Sequence, residues 1–337
     1  MESSIKICIS ILSFAIINGC TLTSKKPIIQ DLTGKHPVTL GQIWLSHEHI
    51  LVDFIGADSI ASSDWNHAVV IDEMTPYLEE LRQFNVSYFV DATPNYLGRD
   101  VLLLEKIAKK SGLKILTNTG LYGARNNQFI PDFAKTMSAK ELSHMWIKEY
   151  EDGIDGSSIR PGFIKIGIDN TDPLSPMHRK LVAAAALTHL KTGLTIASHT
   201  GEAKGLWPQL ALLKSLNVSP EAFIWVHAQA ETKPEEYLKA ASTGCWISLD
   251  GLGWELDKHL EKILFAKRNG FLNRILIAHD AGWYDPQKDK QSIQGYTNIF
   301  SKLIPALKEK NFTDEEIKLL LTINPSRAFS IKIRNVE

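Results

Sequence analysis

The stretch FIKIGIDNTDPLSPMHRKLVAAAALTHLKTGLTIASHT, residues 163–200, decides the fold. It opens on a short apolar run at 163–168 that is interrupted by one lysine, Lys165. Ser175 then supplies an N-cap, and Pro176 is a first-turn residue whose missing N–H costs nothing there. A helical pattern follows over 176–191, and Gly193 falls just past its end. A second apolar run stands at 195–198. Two near-continuous apolar strands flanking a helix predict parallel pairing in a sheet covered on both faces.

Working outward, the same alternation recurs along the chain. Further candidate strands lie at 43–45, 88–91, 114–118, 223–226, 245–249 and 275–278. Candidate helices lie at 72–84, 99–111, 138–150, 204–216, 233–242, 256–269 and 296–310, with Gly112, Gly244 and Gly270 placed like Gly193. No Gly-rich phosphate-binding fingerprint follows the first strand, which argues against an open doubly wound sheet. The chain therefore reads as an α/β protein, a (β/α)8 TIM barrel. Residues 313–321 read as an extra C-terminal helix and Asn324-Pro-Ser-Arg327 as a capping turn. No composition shift or Pro/Gly-rich linker divides residues 36–333, so a single barrel domain is expected.

Residues 1–20 are set apart from the barrel. Lys6 precedes an apolar run at 7–17 that is too short to span a bilayer and suits a signal peptide. Its ending, Ile-Asn-Gly-Cys20, resembles the lipobox of bacterial lipoproteins. The expectation is an exported protein, periplasmic or anchored to a membrane through a lipidated Cys20, with residues 21–35 as a tether. Of the 3 cysteines, Cys8 lies in the expected signal and Cys20 would carry the lipid. That leaves Cys245, at the head of an apolar run, as a buried structural thiol.

Composition narrows the partners. With 44% hydrophobic residues the chain has ample apolar side chains for a large core. Lys plus Arg number 37 against 38 Asp plus Glu, a net charge of -1, which excludes a dedicated nucleic-acid binder. A small-molecule substrate is expected.

In a barrel of this kind the chemistry sits at the C-terminal ends of the strands. The residues there are His47-Glu-His49, Lys165, His199, His227 and Asp280. A strand alternates faces, so His47 and His49 point to one side and Glu48 to the other. A lone His-X-His pair is weak evidence for a metal, and each remaining residue alone could be a satisfied polar group. A lysine inside an apolar strand is less ordinary, since a buried ammonium must be paired or lose its charge. Convergence of all six on one barrel mouth points to a metal centre.

The sequence resembles the phosphotriesterase-like metal hydrolases, in their phosphotriesterase homology branch, of the amidohydrolase superfamily. The motifs that carry the resemblance run from Leu-Ser-His-Glu-His-Ile-Leu at 45–51 through Gly-Arg-Asp at 98–100, Thr-Gly-Leu-Tyr at 119–122 and Gly-Phe-Ile-Lys-Ile at 162–166. They continue with Ser-His-Thr-Gly at 198–201, His-Asp-Ala-Gly at 279–282 and Asn-Pro-Ser-Arg at 324–327. The resemblance implies one metal held by His47, His49 and Asp280 and a second by His199 and His227. A carboxylated Lys165 and a hydroxide would bridge them. Two divalent ions are implied, zinc first, with manganese, cobalt or iron as substitutes. The hydroxide would attack the substrate, Asp280 would act as general base, and His279 would support from the other face.

The resemblance also places Tyr122 over the metals as a catalytic candidate, where lactonases of the family carry a tyrosine. Acyl-homoserine lactonases are similar to one another in an arginine after Leu249-Asp250; here Gly251 stands in that place. The reading is hydrolysis of a small ester-like bond, a lactone first, with phosphotriesters as a side activity. A phosphodiesterase or amidase, or a surface lipoprotein without activity, are the alternatives, and a homodimer is implied. Trp207, Trp254, Trp283, Tyr284 and Arg125 are candidate contacts at the mouth. His36, His67, His144, His178, His189 and His259 are given no chemistry.

Overall fold

The computed structural model describes residues 26–39, 41–61 and 65–336. The expected signal peptide, Cys20 and the first residues of the expected tether lie outside the described residues.

The chain enters through an antiparallel hairpin, β1 (Ile28–Asp31) and β2 (Gly34–Pro37), paired from Ile28↔Pro37 to Asp31↔Gly34. Parallel strands and helices then alternate: β3 (Ile43–Glu48), α1 (His67–Glu79), β4 (Val86–Asp91), α2 (Val101–Ser111), β5 (Lys114–Leu116), β6 (Asn118–Thr119), α3 (Asp132–Thr136), α4 (Ala139–Asp152), β7 (Phe163–Gly167) and α5 (Pro176–Thr192). The series continues with β8 (Ile196–His199), α6 (Ala203–Ser215), β9 (Phe223–Val226), α7 (Pro234–Thr243), β10 (Trp246–Leu249), α8 (Leu256–Arg268), β11 (Ile275–Ile277), α9 (Ile304–Glu309), α10 (Asp314–Lys318) and α11 (Asn324–Ala328). Strands β3, β4 and β5 pair in that order, and β6 to β11 pair in sequence order, all in parallel. β5 and β6 are one barrel strand interrupted at Thr117. The result is the expected (β/α)8 barrel.

The seam between β3 and β11 is closed by individual hydrogen bonds rather than by a ladder. Ser46 Oγ donates to the Ile277 carbonyl (3.0 Å). Beyond the strand ends, Asp280 N–H donates to the His47 carbonyl (3.1 Å) and His49 N–H to the Ala281 carbonyl (2.9 Å). Gly282 makes this closure sterically feasible. Its φ is +98°, and a Cβ there would overlap the His49 carbonyl oxygen and the Tyr296 hydroxyl.

Two layers of apolar side chains hold the barrel. Ile164, Ile166, Trp225 and Ile247 point outward under the helices, whereas Trp44, Tyr88, Phe163, Ile224, Trp246 and Leu276 fill the lower interior. Ile29 and Val38 from the hairpin and Phe329 after α11 seal that interior from below. Phe329 packs 5.4 Å from Phe163 and 6.2 Å from Trp44, which stacks on Tyr88 at 4.0 Å. The N-terminal pole is thus plugged, and the mouth at the strand C-termini is the open end.

Some boundaries differ from expectation. Residues 28–35, expected as tether, belong to the folded hairpin, with Ile29, Gln30 and Asp31 buried. A short segment of mixed Lys, His and Gly carries no long apolar pattern, which is why it read as linker. The first helix begins at His67, capped by the Asn66 side chain, and ends in a tighter turn at Glu80–Phe84. The expected capping turn at 324–327 is the helix α11. Cys245 is fully buried and its thiol is pushed up to about 12 by burial, as befits a structural residue.

Candidate metal centre

A bulge in β3 aims the first two histidines. Leu45 pairs with Phe89 and Glu48 with Asp91, so three steps on β3 face two on β4. Trp44 points into the barrel, and simple alternation would send Ser46 and Glu48 after it. The extra residue reverses the phase, so that His47 and His49 turn inward and Glu48 outward. Lys165 shares the inward phase of Phe163, two residues earlier on β7, and its Nζ lies 3.4 Å from His47 Nε2. His199 ends β8. His227 and Asp280 both adopt left-handed backbone, φ +60° and +53°. For His227 this overrides the alternation that follows from the inward Val226.

The mouth brings together all six residues expected there. Asp280 Oδ1 is 3.0 Å from His49 Nε2 and 3.5 Å from His47 Nε2, and one donor atom from each of the three lies within 4.8 Å of the others. On the other side the His227 ring is 4.5 Å from that of His199 and 5.2 Å from that of His47. His227 Nδ1 approaches Asp280 Oδ2 at 3.9 Å.

A surrounding set of acceptors orients the rings, and most of it was not foreseen. Asp250, fully buried after β10, accepts from His227 Nδ1 (2.7 Å) and from the His227 backbone N–H (3.1 Å), and lies 3.5 Å from His47 Nδ1. Thr93 Oγ1 sits 2.7 Å from His49 Nδ1, while Asp91 accepts from the backbone N–H of Thr93 and of Ile50. Outside the barrel wall, Glu48 accepts from the N–H of His279 (3.0 Å) and pairs with its Nδ1 (2.8 Å), so His279 supports the strand from the far face as expected. These contacts through Nδ1 fix the orientation of the His49 and His227 rings, and His49 Nε2 meets Asp280 Oδ1 in the cluster. Asp250 could have been found in the sequence: it shares the inward phase of Trp246 and stands at a strand end.

Electrostatics prepares these groups as donors. Burial, with Lys165 adding to it, holds the imidazoles of His47 and His199 well below their usual range, so both are neutral. Burial also lowers Lys165 to about 8, against the pull of Asp280 and Asp250. Burial alone would raise Asp280, but the His49 hydrogen bond and the His227 and His47 rings keep it well below the carboxylate range. His227 is likewise pulled down by burial and more strongly raised by Asp250, its ion-pair partner. Imidazole nitrogens, one ionised carboxylate and a readily neutralised amine, with no thiolate, form a donor set that fits divalent ions of the zinc type.

Around the centre runs an arc of aromatic rings. Tyr122 lies edge-on to His199 (5.0 Å) and against Phe129 (5.9 Å); Phe129 meets Phe54 (5.8 Å), Phe54 meets Trp283 (5.5 Å), and Trp283 meets His49 (5.4 Å). Tyr122 is held over Gly167, where any side chain would collide with its ring. A cleft of about 220 Å³ beside the arc is lined by Val52, Phe54, Trp254 and Trp283 among others. Trp207 does not belong here: its indole donates to Glu236 under the Lys239 ammonium, on the outer helices. Tyr284 is buried in the wall, bridged to Leu51. His178, His189 and His259 bond to backbone groups, and His36 and His67 to Asp31 and Asp100, all away from the centre.

A parallel barrel whose mouth gathers histidines, a lysine and an aspartate around one point defines a metal-assisted hydrolase. The profile of the Phosphotriesterase family matches residues 31–329. Among curated relatives, a phosphotriesterase homology protein of Escherichia coli is 26% identical over 85% of this chain and 97% of its own length. The aryldialkylphosphatase of Saccharolobus solfataricus is 29% identical over 85% and 94%. The N-acetyltaurine hydrolase of Dictyostelium discoideum is 26% identical over 79% and 75%. The organophosphorus hydrolase of Deinococcus radiodurans superposes with a TM-score of 0.81 at 24% identity, over 91% of this chain and 98% of that one, and shares the fold. The chain belongs to the phosphotriesterase family of the amidohydrolase superfamily, hydrolases that depend on two metal ions and act on small molecules.

Proposed function

We propose that the protein opens a small lactone, or cleaves a comparably small carboxyl ester, with phosphotriester hydrolysis as a side activity. Two zinc ions, when bound, would supply a hydroxide nucleophile at neutral pH and Lewis-acid polarisation of the substrate oxygen. His47, His49 and Asp280 are the residues to hold one ion and His199 and His227 the other. Lys165, if carboxylated, would be a ligand to both: a neutral amine adds CO₂ where an ammonium does not, and burial favours the neutral form. Asp280, ionised and hydrogen-bonded to His49, would take the proton released on attack and pass it outward. Asp250 and Thr93 hold His227 and His49 in the tautomers that direct Nε2 inward.

One observation carries the substrate reading. The Tyr122 hydroxyl has no hydrogen-bond partner among the described residues, although its ring is buried beside His199. It is free to donate to the ring oxygen of a lactone. Amide hydrolysis is the second reading, supported by the similarity to N-acetyltaurine hydrolase.

Proton release by zinc-loaded protein lacking residues 1–20, on sugar lactones, aliphatic lactones, an aryl phosphotriester and N-acetyltaurine, tests both. Fast turnover of one lactone class is expected; silence on every lactone with turnover of the amide replaces the first reading by the second. Lys165→Ala should abolish activity and recover part of it with added short carboxylates, and full activity without them would overturn the shared-lysine arrangement. The Ile-Asn-Gly-Cys20 sequence supports export as a lipoprotein, checked by palmitate labelling that Cys20→Ser abolishes. A homodimer is checked by light scattering.

A further inference from the structure

Arg125 is a charged group at the mouth that the proposed reaction does not use. It follows Tyr122 on the loop after β6, and its guanidinium lies over the ring of Phe54, 4.6 Å from the centroid, where the aromatic arc passes from Phe129 to Trp283. It is exposed and forms no ion pair with any carboxylate of the described residues. The nearby Asp169 carboxylate is committed elsewhere: it accepts from the backbone N–H of Arg125 (2.7 Å) and of Asn126 (3.2 Å).

The loop that carries Arg125 is held rather than loose. Arg125, Asn126 and Asn127 are three successive left-handed residues, φ +56°, +57° and +62°. A run of three such residues persists only where the surroundings impose it. Here the Asp169 clamp does so, together with the Gly123 N–H donating to the Gly167 carbonyl (2.9 Å). A guanidinium held over a ring without a carboxylate partner keeps N–H groups for an oxyanion, which it can grip through two parallel bonds.

We propose that Arg125 is a specificity residue that binds an anionic oxyacid group at the far end of the substrate, while the scissile carbonyl sits over the His47–His227 cluster. The inference rests on the hydrolase reading above and adds the substrate class: compact esters, lactones or amides whose apolar body lies along Phe54 and Trp283 and ends in a carboxylate, sulfonate or phosphonate.

The test compares two esters that differ at that end, 4-nitrophenyl butyrate and mono-4-nitrophenyl glutarate, on the zinc-loaded protein. The ratio of their kcat/KM values is expected to favour the glutarate ester ten-fold or more, with the gain in KM, and to weaken with salt. Arg125→Gln should lower that ratio at least ten-fold, and Arg125→Lys should keep part of it. A ratio that the variants leave unmoved, or loss of both activities in parallel, overturns the proposal. Calorimetric binding of glutarate against butyrate decides the question even if neither ester is turned over. Wild type should prefer glutarate and Arg125→Gln should not; equal preference in both proteins overturns the role of Arg125 without touching the hydrolase reading. Competition by 4-sulfobutyrate and 3-phosphonopropionate then tells which oxyacid fits.

Discussion

Asp250 shows what a side chain outside the donor set contributes. It neutralises the His227 side of the centre, fixes the ring through Nδ1 and is fully buried, so its own ionisation depends on those contacts. Asp250→Asn keeps an acceptor and loses the charge. Zinc affinity, measured by competition with a chelator, should fall about 10- to 100-fold while the far-UV spectrum is unchanged. Lys165 makes a prediction on pH. Its ordinary value is 10.5 and the fold lowers it to about 8, so between these values the unfolded chain binds the proton and the folded chain does not. Stability of the metal-free protein should therefore rise with pH across that window. Lys165→Met should flatten the slope, read as the urea midpoint at pH 7.5 against pH 9.5 in a chelator.

At the scale of elements, the strand ends do most of the positioning. Gly282→Ala forces a Cβ into the His49 carbonyl at a left-handed position, and should cost at least ~2 kcal/mol in urea unfolding because the β3–β11 seam cannot spread without tearing its hydrogen bonds. The order of strands and helices was legible in the sequence because each strand is an apolar run and each helix carries its own caps, as at Ser175 and Gly193. The residues of the mouth were legible for the same reason: His47, His49, His199, His227 and Asp280 stand where those runs stop, and Lys165 breaks one from within. The bulge in β3 was not, since an extra residue among Ser46, His47 and Glu48 leaves no mark in composition, and the i, i+2 rule gives the mutual side of the two histidines but not which side. The left-handed turn at His227 was equally invisible. Thr93 and Asp91 escaped because their role lies in a loop hydrogen bond to a ring on another strand.

The whole molecule is asymmetric from pole to pole: an apolar plug at one end, the polar cluster at the other. The hairpin escaped the sequence reading because its apolar packing rests on three scattered residues, Ile29, Leu32 and Val38. It is nevertheless part of the barrel core. Phe329→Ala should destabilise by ~3–5 kcal/mol, seen as a lowered denaturation midpoint, while zinc-dependent kcat on any accepted ester stays within a few-fold, because the plug fills the pole opposite the mouth. The closed pole has a further use. Ile331 N–H donates to the Ile28 carbonyl (2.8 Å), so the first and last parts of the folded chain run side by side there. Those ends could be spliced together by a short bridge and the chain reopened in a surface loop elsewhere, giving a permuted enzyme with its order of units rotated. A resin, a fusion partner or a bilayer that grips either end meets the plugged pole, and the catalytic mouth is left facing the liquid from which substrate arrives.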